Sequence, residues 1–333
     1  MNVGALLKSR EAALSLVIAL LVAAIGWRAP VFVTPDSLLS VVTDTSFLFM
    51  LTLAQMAVIL TRGIDLSMAA NLALTGMIVA LVSRAHPDIP IAAIIMLAML
   101  IGLFLGFLNG AAIAWVGIPP IVVTLGTLAI FRGLIFVIAG GSWLTSKDMT
   151  PAFLAFPKAS FLGVPSLIWV AVLVTAGFWL FLGYTERGRA LYAIGGNPVA
   201  ARLSGIDLQA GQMLVYCLSG AVSGLCGYLW VSRYGIAYSD IALGYELSVV
   251  AACVIGGVSI AGGIGSVAGA LLGALFLGVI VNALPVINVS PFWQMAISGA
   301  VILAAVVVNA RSERVVGRLI LPEARRGVES ARR

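Results

Sequence analysis

Thr185-Glu186-Arg187-Gly188-Arg189-Ala190-Leu191-Tyr192-Ala193-Ile194-Gly195-Gly196-Asn197-Pro198-Val199-Ala200-Ala201-Arg202-Leu203-Ser204-Gly205-Ile206-Asp207 is a polar stretch in a very apolar chain. It carries three arginines and two carboxylates, and long hydrophobic segments bracket it on both sides. Such a segment cannot lie in lipid, where every charge is costly. It therefore divides the chain into membrane-embedded halves and marks a loop in water.

Composition supports that division. The chain has 333 residues, 62% hydrophobic and only 10% charged. A soluble domain carries roughly 25% charged residues. A helix needs about 20 apolar residues to cross a bilayer. Ten segments qualify, two of them short: 12–27, 38–60, 67–83, 91–115, 120–139, 164–182, 211–230, 247–261, 264–283 and 292–309. Pro30 and Pro35, then His86 to Pro90, then Pro119-Pro120 punctuate the first five. A cleaved leader competes for the first segment. The tract runs on into Gly26-Trp27-Arg28, where a cleavage site needs small residues, so a first transmembrane helix is expected. The expected fold is all-α and polytopic, with about ten transmembrane helices, in one domain spanning 1–333.

Charge sets the orientation. With both termini cytoplasmic, the inner side holds Lys8, Arg10, Arg62, Arg187, Arg189, Arg202, Arg311, Arg314, Arg318, Arg325, Arg326, Arg332 and Arg333. The outer side then holds Arg28, Arg84, Lys147, Lys158 and Arg233. Basic residues favour the cytoplasmic side, and thirteen stand against five. The 184–210 segment becomes a cytoplasmic loop, 310–333 a basic cytoplasmic tail, and 140–163 an outer loop. The net charge of +6 reads as topological rather than as a nucleic-acid surface. Cys217, Cys226 and Cys253 lie in apolar segments without metal-ligand spacing, and His86 is the single histidine. No metal site, bound cofactor or catalytic residue is expected.

The polar stretch has the punctuation of a very short helix. Asn197 suits the N-cap, Pro198 the first helical position and Gly205 the left-handed position after the end. Gly195-Gly196 is expected to break this helix from the segment before it. So short a helix needs support from its flanks or from a partner. Val199 and Leu203, four apart, share a face. Docking in a cleft and an ordinary linker with one helical turn both fit.

These residues resemble the cytoplasmic coupling region of bacterial ABC-importer permeases for monosaccharides. Arg189, Ala193, Gly195, Asn197, Ala200, Ala201, Gly205 and Ile206 carry the likeness. Gly63-Ile64-Asp65-Leu66-Ser67, the run from Pro119 to Thr127, the run from Ala251 to Gly263, and Ser290-Pro291-Phe292-Trp293-Gln294 fit the same family. Met68-Ala69-Ala70-Asn71 looks more like a rhamnose-type subgroup than the Val-Gly usual there. The resemblance implies a non-enzymatic transport subunit in the bacterial inner membrane. Its implied partners are a separate ABC ATPase that binds the ATP, a second permease subunit, a periplasmic sugar-binding protein and a sugar. Arg187, Gly188, Arg189, Ala193, Gly195, Gly196, Asn197, Ala200, Ala201 and Gly205 become the implied ATPase-coupling residues.

The residues agree with a separate ATPase. A P-loop needs a lysine after its glycine turn. Lys8, Lys147 and Lys158 follow Leu7, Ser146 and Pro157, so no such site exists. Gly263-Ile264-Gly265-Ser266-Val267-Ala268 imitates a dinucleotide fingerprint. Its neighbours are spans, and Gly265, Gly269 and Gly273, like Gly102, Gly106 and Gly110, read as helix-packing stripes. Gln55, Asp65, Asn71, Asn109, Thr124, Arg132 and Asn282 are candidates for the translocation pathway, because polar groups within spans are expensive. Asp65 also fits as a helix cap, and Arg132 as a partner for a carbonyl or as a residue reaching the outer surface. An ion-coupled secondary transporter, or a same-family permease for another polar solute such as autoinducer-2, is the alternative. Ion coupling usually needs an ionisable relay at mid-membrane, and Arg132 is the one such group expected.

Overall fold

The computed structural model describes residues 10–287 and Val289, Ser290, Trp293, Ala296, Gly299, Ala300 and Leu303. The expected tenth span, 292–309, and the tail, 310–333, otherwise lie outside the described residues.

Among the described residues, eight helices are long and apolar enough to cross a membrane. They are α1 (Arg10–Arg28), α2 (Pro35–Leu60), α3 (Met68–Ala85), α4 (Ile91–Ala114), α5 (Pro120–Ala139), α7 (Ser166–Tyr184), α10 (Leu208–Tyr234) and α12 (Val267–Val286). Helix α6 (Pro151–Ala155) belongs to the loop between α5 and α7, expected outside, and α8 (Glu186–Gly196) and α9 (Pro198–Leu203) to the loop between α7 and α10, expected in the cytoplasm. Four two-residue strands complete the outer loops: β1 (Leu144–Thr145), β2 (Ser160–Phe161), β3 (Val164–Pro165) and β4 (Ile236–Ala237). Proline opens α2 and α5, where the missing N–H leaves no bond unmade.

The ninth expected span is different. Helix α11 covers only Tyr245–Ile255. An irregular segment, 256–266, follows it and leads to α12; in it Gly257, Gly262 and Gly263 take positive φ. This corrects the expected helix over 247–261. Gly257, two residues past the last helical one, takes φ 94° and turns the chain out of the helix early.

Helices α2, α3 and α10 form the centre. Phe47, Met50, Leu51 and Leu53 on α2 are fully buried. The outward faces of α4, α5 and α7 stay apolar yet exposed, as Phe104, Val137 and Leu173 show. Apolar surface of this extent on a single chain marks a lipid-facing belt.

Helices α4 and α10 meet backbone to backbone. A Cβ on Gly102 would strike the Gly220 carbonyl, and one on Gly220 the Gly102 carbonyl. Gly106 and Gly224 face Tyr216 and Ala98 carbonyls in the same way. Gly269 and Gly273 give α12 the same intimacy with Gly256 and with Ala252 at the end of α11. Without a hydrophobic force between helices in lipid, this close packing is what joins them.

Gly220→Val is expected to destabilise the purified permease by about 1–3 kcal/mol or more through overpacking. Gly177→Ala, inside α7 at a position with open space around it, is expected to leave stability unlowered and to raise it by up to about 1 kcal/mol. Thermal unfolding in detergent measures both.

Candidate functional site

The polar loop between α7 and α10 folds as its residue types require. Thr185 Oγ accepts from the Gly188 N–H at 3.0 Å and starts α8. Asn197 Oδ1 accepts from the N–H groups of Val199 and Ala200, both at 3.1 Å, and starts α9. Pro198 fills the first helical position and Gly205 takes φ 82° just past the end. Ala201 is buried against the rest of the protein. Val199 and Leu203 are 70% and 84% exposed, a pair of apolar knobs pointing into water. A groove of about 700 Å³ lies between α8 and the start of α10, lined by Arg187, Arg189, Ala190 and Ala193 on one element and by Asp207 and Ala210 on the other.

Gly195 and Gly196 are the last residues of α8, not a break before α9. The break falls at Asn197, whose backbone is extended. Close approach, rather than flexibility, explains Gly195. A Cβ there would collide with the Leu60 carbonyl and crowd the Gly263 N–H. Those two groups bond each other, Gly263 N–H to Leu60 O at 3.0 Å. Arg62 closes the junction. Its Nε donates to the Gly195 carbonyl at 2.7 Å and its Nη2 to the Gly196 carbonyl at 3.2 Å. Arg62 itself has φ 66°, a conformation rare for a residue with a side chain. The N-terminal end of α1 braces the same region. Arg10 Nη2 donates to the Val254 carbonyl at 3.0 Å, and Ser266 Oγ to Glu11 Oε1 at 2.6 Å.

So α8 sits on two turns at once: 61–67, between α2 and α3, and 256–266, between α11 and α12. The first of these is irregular backbone buried among helices. Such backbone is tolerated at membrane depth only when protein groups satisfy it. With its amide oriented to serve both atoms, Gln55 donates to the Asp65 carbonyl and accepts from the Asp65 N–H, each at 3.2 Å. Thr124 Oγ reaches the Ile64 carbonyl at 3.1 Å. The Asp65 carboxylate accepts from Ser67 N–H at 2.9 Å, Ser67 Oγ at 2.7 Å and Ser219 Oγ at 2.7 Å. Asn109 Nδ2 donates to Ser67 Oγ at 2.8 Å. Asn71 Nδ2 donates to the Gly102 carbonyl at 3.1 Å and accepts at Oδ1 from Thr75 at 3.1 Å. Four of the polar residues singled out in the sequence, Gln55, Asp65, Asn109 and Thr124, therefore converge on one buried network around the 61–67 turn, while the Asn71 side chain bonds α4 instead. Met68 to Asn71 form the first turn of α3 beside it.

Arg132 and Asn282 lie elsewhere. Arg132 Nη1 donates to the Ser239 and Ile241 carbonyls, at 2.5 and 2.8 Å, and so ties α5 to the outer loop before α11. That loop also stacks Tyr238 on Trp143, 5.1 Å between centroids, and pairs β4 with β1. In the same outer region the Asp148 carboxyl is held below the usual carboxylate range, chiefly by the Thr145 backbone N–H, with the Thr145 hydroxyl and Arg84 adding to it. Asn282 lines a cavity in the outer half of the protein.

Three features escaped the sequence. Asp44 sits in the third turn of α2, 3.3 Å from Arg233. It is an ionisable group within an expected span that the sequence reading passed over. Arg62 looked like topological charge, yet it latches α8; its place directly before Gly63-Ile64-Asp65 was the available cue. The aromatic cluster of Phe47, Trp230, Tyr234 and Tyr245 comes from distant segments and left no local pattern. Among the described residues no group of three or more His, Cys, Asp or Glu could hold a metal ion.

Arg62→Gln is expected to loosen α8 and α9 by about 1–2 kcal/mol, the worth of a charge-assisted bond in a half-exposed place. Hydrogen exchange should rise several-fold across 186–205 and stay unchanged in α10.

Comparison with known proteins follows the same lines. The chain is 35% identical to the ribose import permease protein of Haemophilus influenzae, over 92% of this chain and 95% of that one. It is 35% identical to the ribose import permease protein of Escherichia coli strain K12, over 88% and 91% of the two chains. It is 32% identical to the autoinducer 2 import system permease protein of Shigella flexneri, over 91% and 87%. No solved structure matches the chain. The model of the family described as branched-chain amino acid transport system / permease component matches residues 37–306. The chain, a polytopic membrane protein, therefore belongs to that permease family.

Proposed function

We propose that this protein is the membrane permease subunit of an ABC importer that passes a monosaccharide across the bacterial inner membrane. The observation that carries this reading is α9. It is a capped two-turn helix, far too short to stand alone, that exposes Val199 and Leu203 to water and rests on the two membrane turns through Gly195. The chain has no P-loop lysine, so the energy comes from a separate ATPase subunit. That ATPase takes α9 and the groove between α8 and α10 as its docking surface. Arg187, Arg189, Asn197, Ala200, Ala201 and Gly205 shape the contact; Gly188, Ala193, Gly195 and Gly196 hold it against the membrane part.

Coupling then has a physical form. When the ATPase pair closes on ATP, α9 moves with it, and α8 carries that motion to the turns at 61–67 and 256–266. Energy is transmitted only if the two states differ in contacts with nucleotide or sugar. Gln55, Asp65, Asn71 and Thr124 support the moving wall, since their polar groups are used internally, and Asn109 joins them through Nδ2, its Oδ1 being buried without a partner. Arg132 holds the outer loop. A second permease subunit and a periplasmic sugar-binding protein complete the importer. The relatives named above import ribose and autoinducer 2, which favours a small polyhydroxylated solute. The rhamnose-type start of α3 makes L-rhamnose one arm of the substrate test.

Uptake into proteoliposomes that contain the permease, its ATPase and its binding protein tests the reading. It is expected to need ATP. Uptake driven by an ion gradient alone would contradict it. Leu203→Glu and Ala200→Glu are expected to cut uptake more than tenfold and to abolish co-purification with the ATPase. Both positions are exposed, so stability should change by no more than about 0.5 kcal/mol.

A further inference from the structure

The loop between α5 and α7 ends in a tight hairpin, β2 and β3, that runs straight into α7. Phe161 pairs with Val164 across it, and at its base the Ser166 N–H donates to the Ala159 carbonyl at 2.7 Å. Leu162 and Gly163 make the turn, with φ 53° and 76°. Positive φ at both central positions is the signature of a type I′ turn, which Asn-Gly fills easily. A leucine there holds a conformation that its Cβ resists. Among the described residues Arg62 and Ala242 are the other non-glycines with positive φ, and Arg62 is the residue that latches α8.

Packing within the chain does not offset that strain. Leu162 is 77% exposed, and Phe161 beside it is 63% exposed. Both sit at the head of a stripe that faces lipid. The Phe161 ring meets Trp169 of α7 edge-on, 5.8 Å between centroids, and the Trp169 Nε1–H donates to the Phe161 carbonyl at 3.1 Å. Beyond Trp169, Leu173, Gly177 and Leu180 follow at helical spacing on the same face. Leu173 and Leu180 are exposed, and nothing lies within 4 Å of a Cβ on Gly177. Helix α7 has 19 residues, about 28 Å by its rise, against about 30 Å of hydrocarbon. Its two ends therefore reach the two membrane surfaces. Aromatic pairs mark both ends, Phe161 with Trp169 at one and Trp179 with Tyr184 at the other. Trp and Tyr gather at that level of a bilayer. Lys158, just before the hairpin, is exposed.

We propose that the 160–165 hairpin is a membrane anchor whose tip dips into the bilayer surface. Leu162 and Phe161 enter the edge of the hydrocarbon, and Trp169 lies at the headgroup boundary. Lys158 lays its stem along the apolar surface and turns its ammonium to lipid phosphates. Taking two apolar side chains out of water offsets the strained turn. A tip built for water has no use for leucine where asparagine fits the backbone better. Continuity with the lipid-facing stripe of α7 favours a bilayer over a docked protein. The anchor holds the start of α7 at one depth, and α7 leads directly into α8.

The test uses the full chain in vesicles of phosphatidylcholine and phosphatidylglycerol. A nitroxide is attached at Leu162→Cys and, for comparison, at Lys147→Cys, an exposed position in the same loop. Wild type treated with the same label supplies the background from the three native cysteines. Relaxation by oxygen, which concentrates in lipid, is compared with relaxation by a water-soluble nickel chelate. The oxygen-to-nickel ratio is expected to be several-fold higher at 162 than at 147. Equal ratios would place the tip in water and overturn the anchor. Weak relaxation by both agents at 162 would mean a protein contact, such as a second copy of this chain, and would also overturn it. Leu162→Trp gives a second reading without a cysteine. Its added emission should be blue-shifted and quenched by lipids brominated near the headgroup end of their chains. Quenching by aqueous acrylamide instead would contradict the anchor.

Discussion

The contact on which the rest depends is the one at Gly195. There the end of a cytoplasmic helix approaches the Leu60 carbonyl so closely that only hydrogen fits. The Leu60 carbonyl is already engaged by the Gly263 N–H, so three segments distant in sequence share one point. The Arg62 guanidinium holds the two free carbonyls of the helix end and keeps the point closed. Packed contacts of this kind do not deform continuously, which lets a displacement at one side appear at the other.

Membrane depth explains why the turns need so much polar support. Backbone without helical partners cannot face lipid. At 61–67 the N–H and C=O groups are served by Gln55 and Thr124, and the Asp65 carboxylate by three donors. A carboxylate stripped of these donors would sit unpaired in the protein interior, at a cost of several kcal/mol. The turn is therefore held in one conformation, stiff enough to follow α8. At 256–266 glycines do the same work by bringing backbones together: Gly256 against Gly269, and Gly262 against Arg62 and Gly195.

Much of this architecture was legible. Span positions follow from hydrophobic length and proline punctuation, and α2 to α5, α7 and α12 begin and end within a few residues of the expected bounds. The caps of α9 were readable because Asn197, Pro198 and Gly205 each solve a local backbone problem. What stayed hidden is long-range. The glycine pair in Gly195-Gly196 looks like a flexible break until the Leu60 carbonyl is placed beside it. Asp44 disappears in an apolar run until Arg233, far along the chain, comes to meet it. The same holds for the polar residues around Asp65. Their types announced importance, but their roles depend on partners up to 154 positions away.

Adjacent glycines allow the central claim to be tested with a single pair of substitutions. Gly195 and Gly196 end the same helix, and alanine is the better helix former at both by about 1 kcal/mol. Nothing lies within 4 Å of a Cβ on Gly196, while one on Gly195 meets the Leu60 backbone. The decisive measurement is the unfolding temperature of the purified permease carrying Gly195→Ala beside that carrying Gly196→Ala. The account predicts a fall of several degrees for the first and no fall for the second. Equal tolerance of both would contradict a cytoplasmic helix seated directly on the membrane turns.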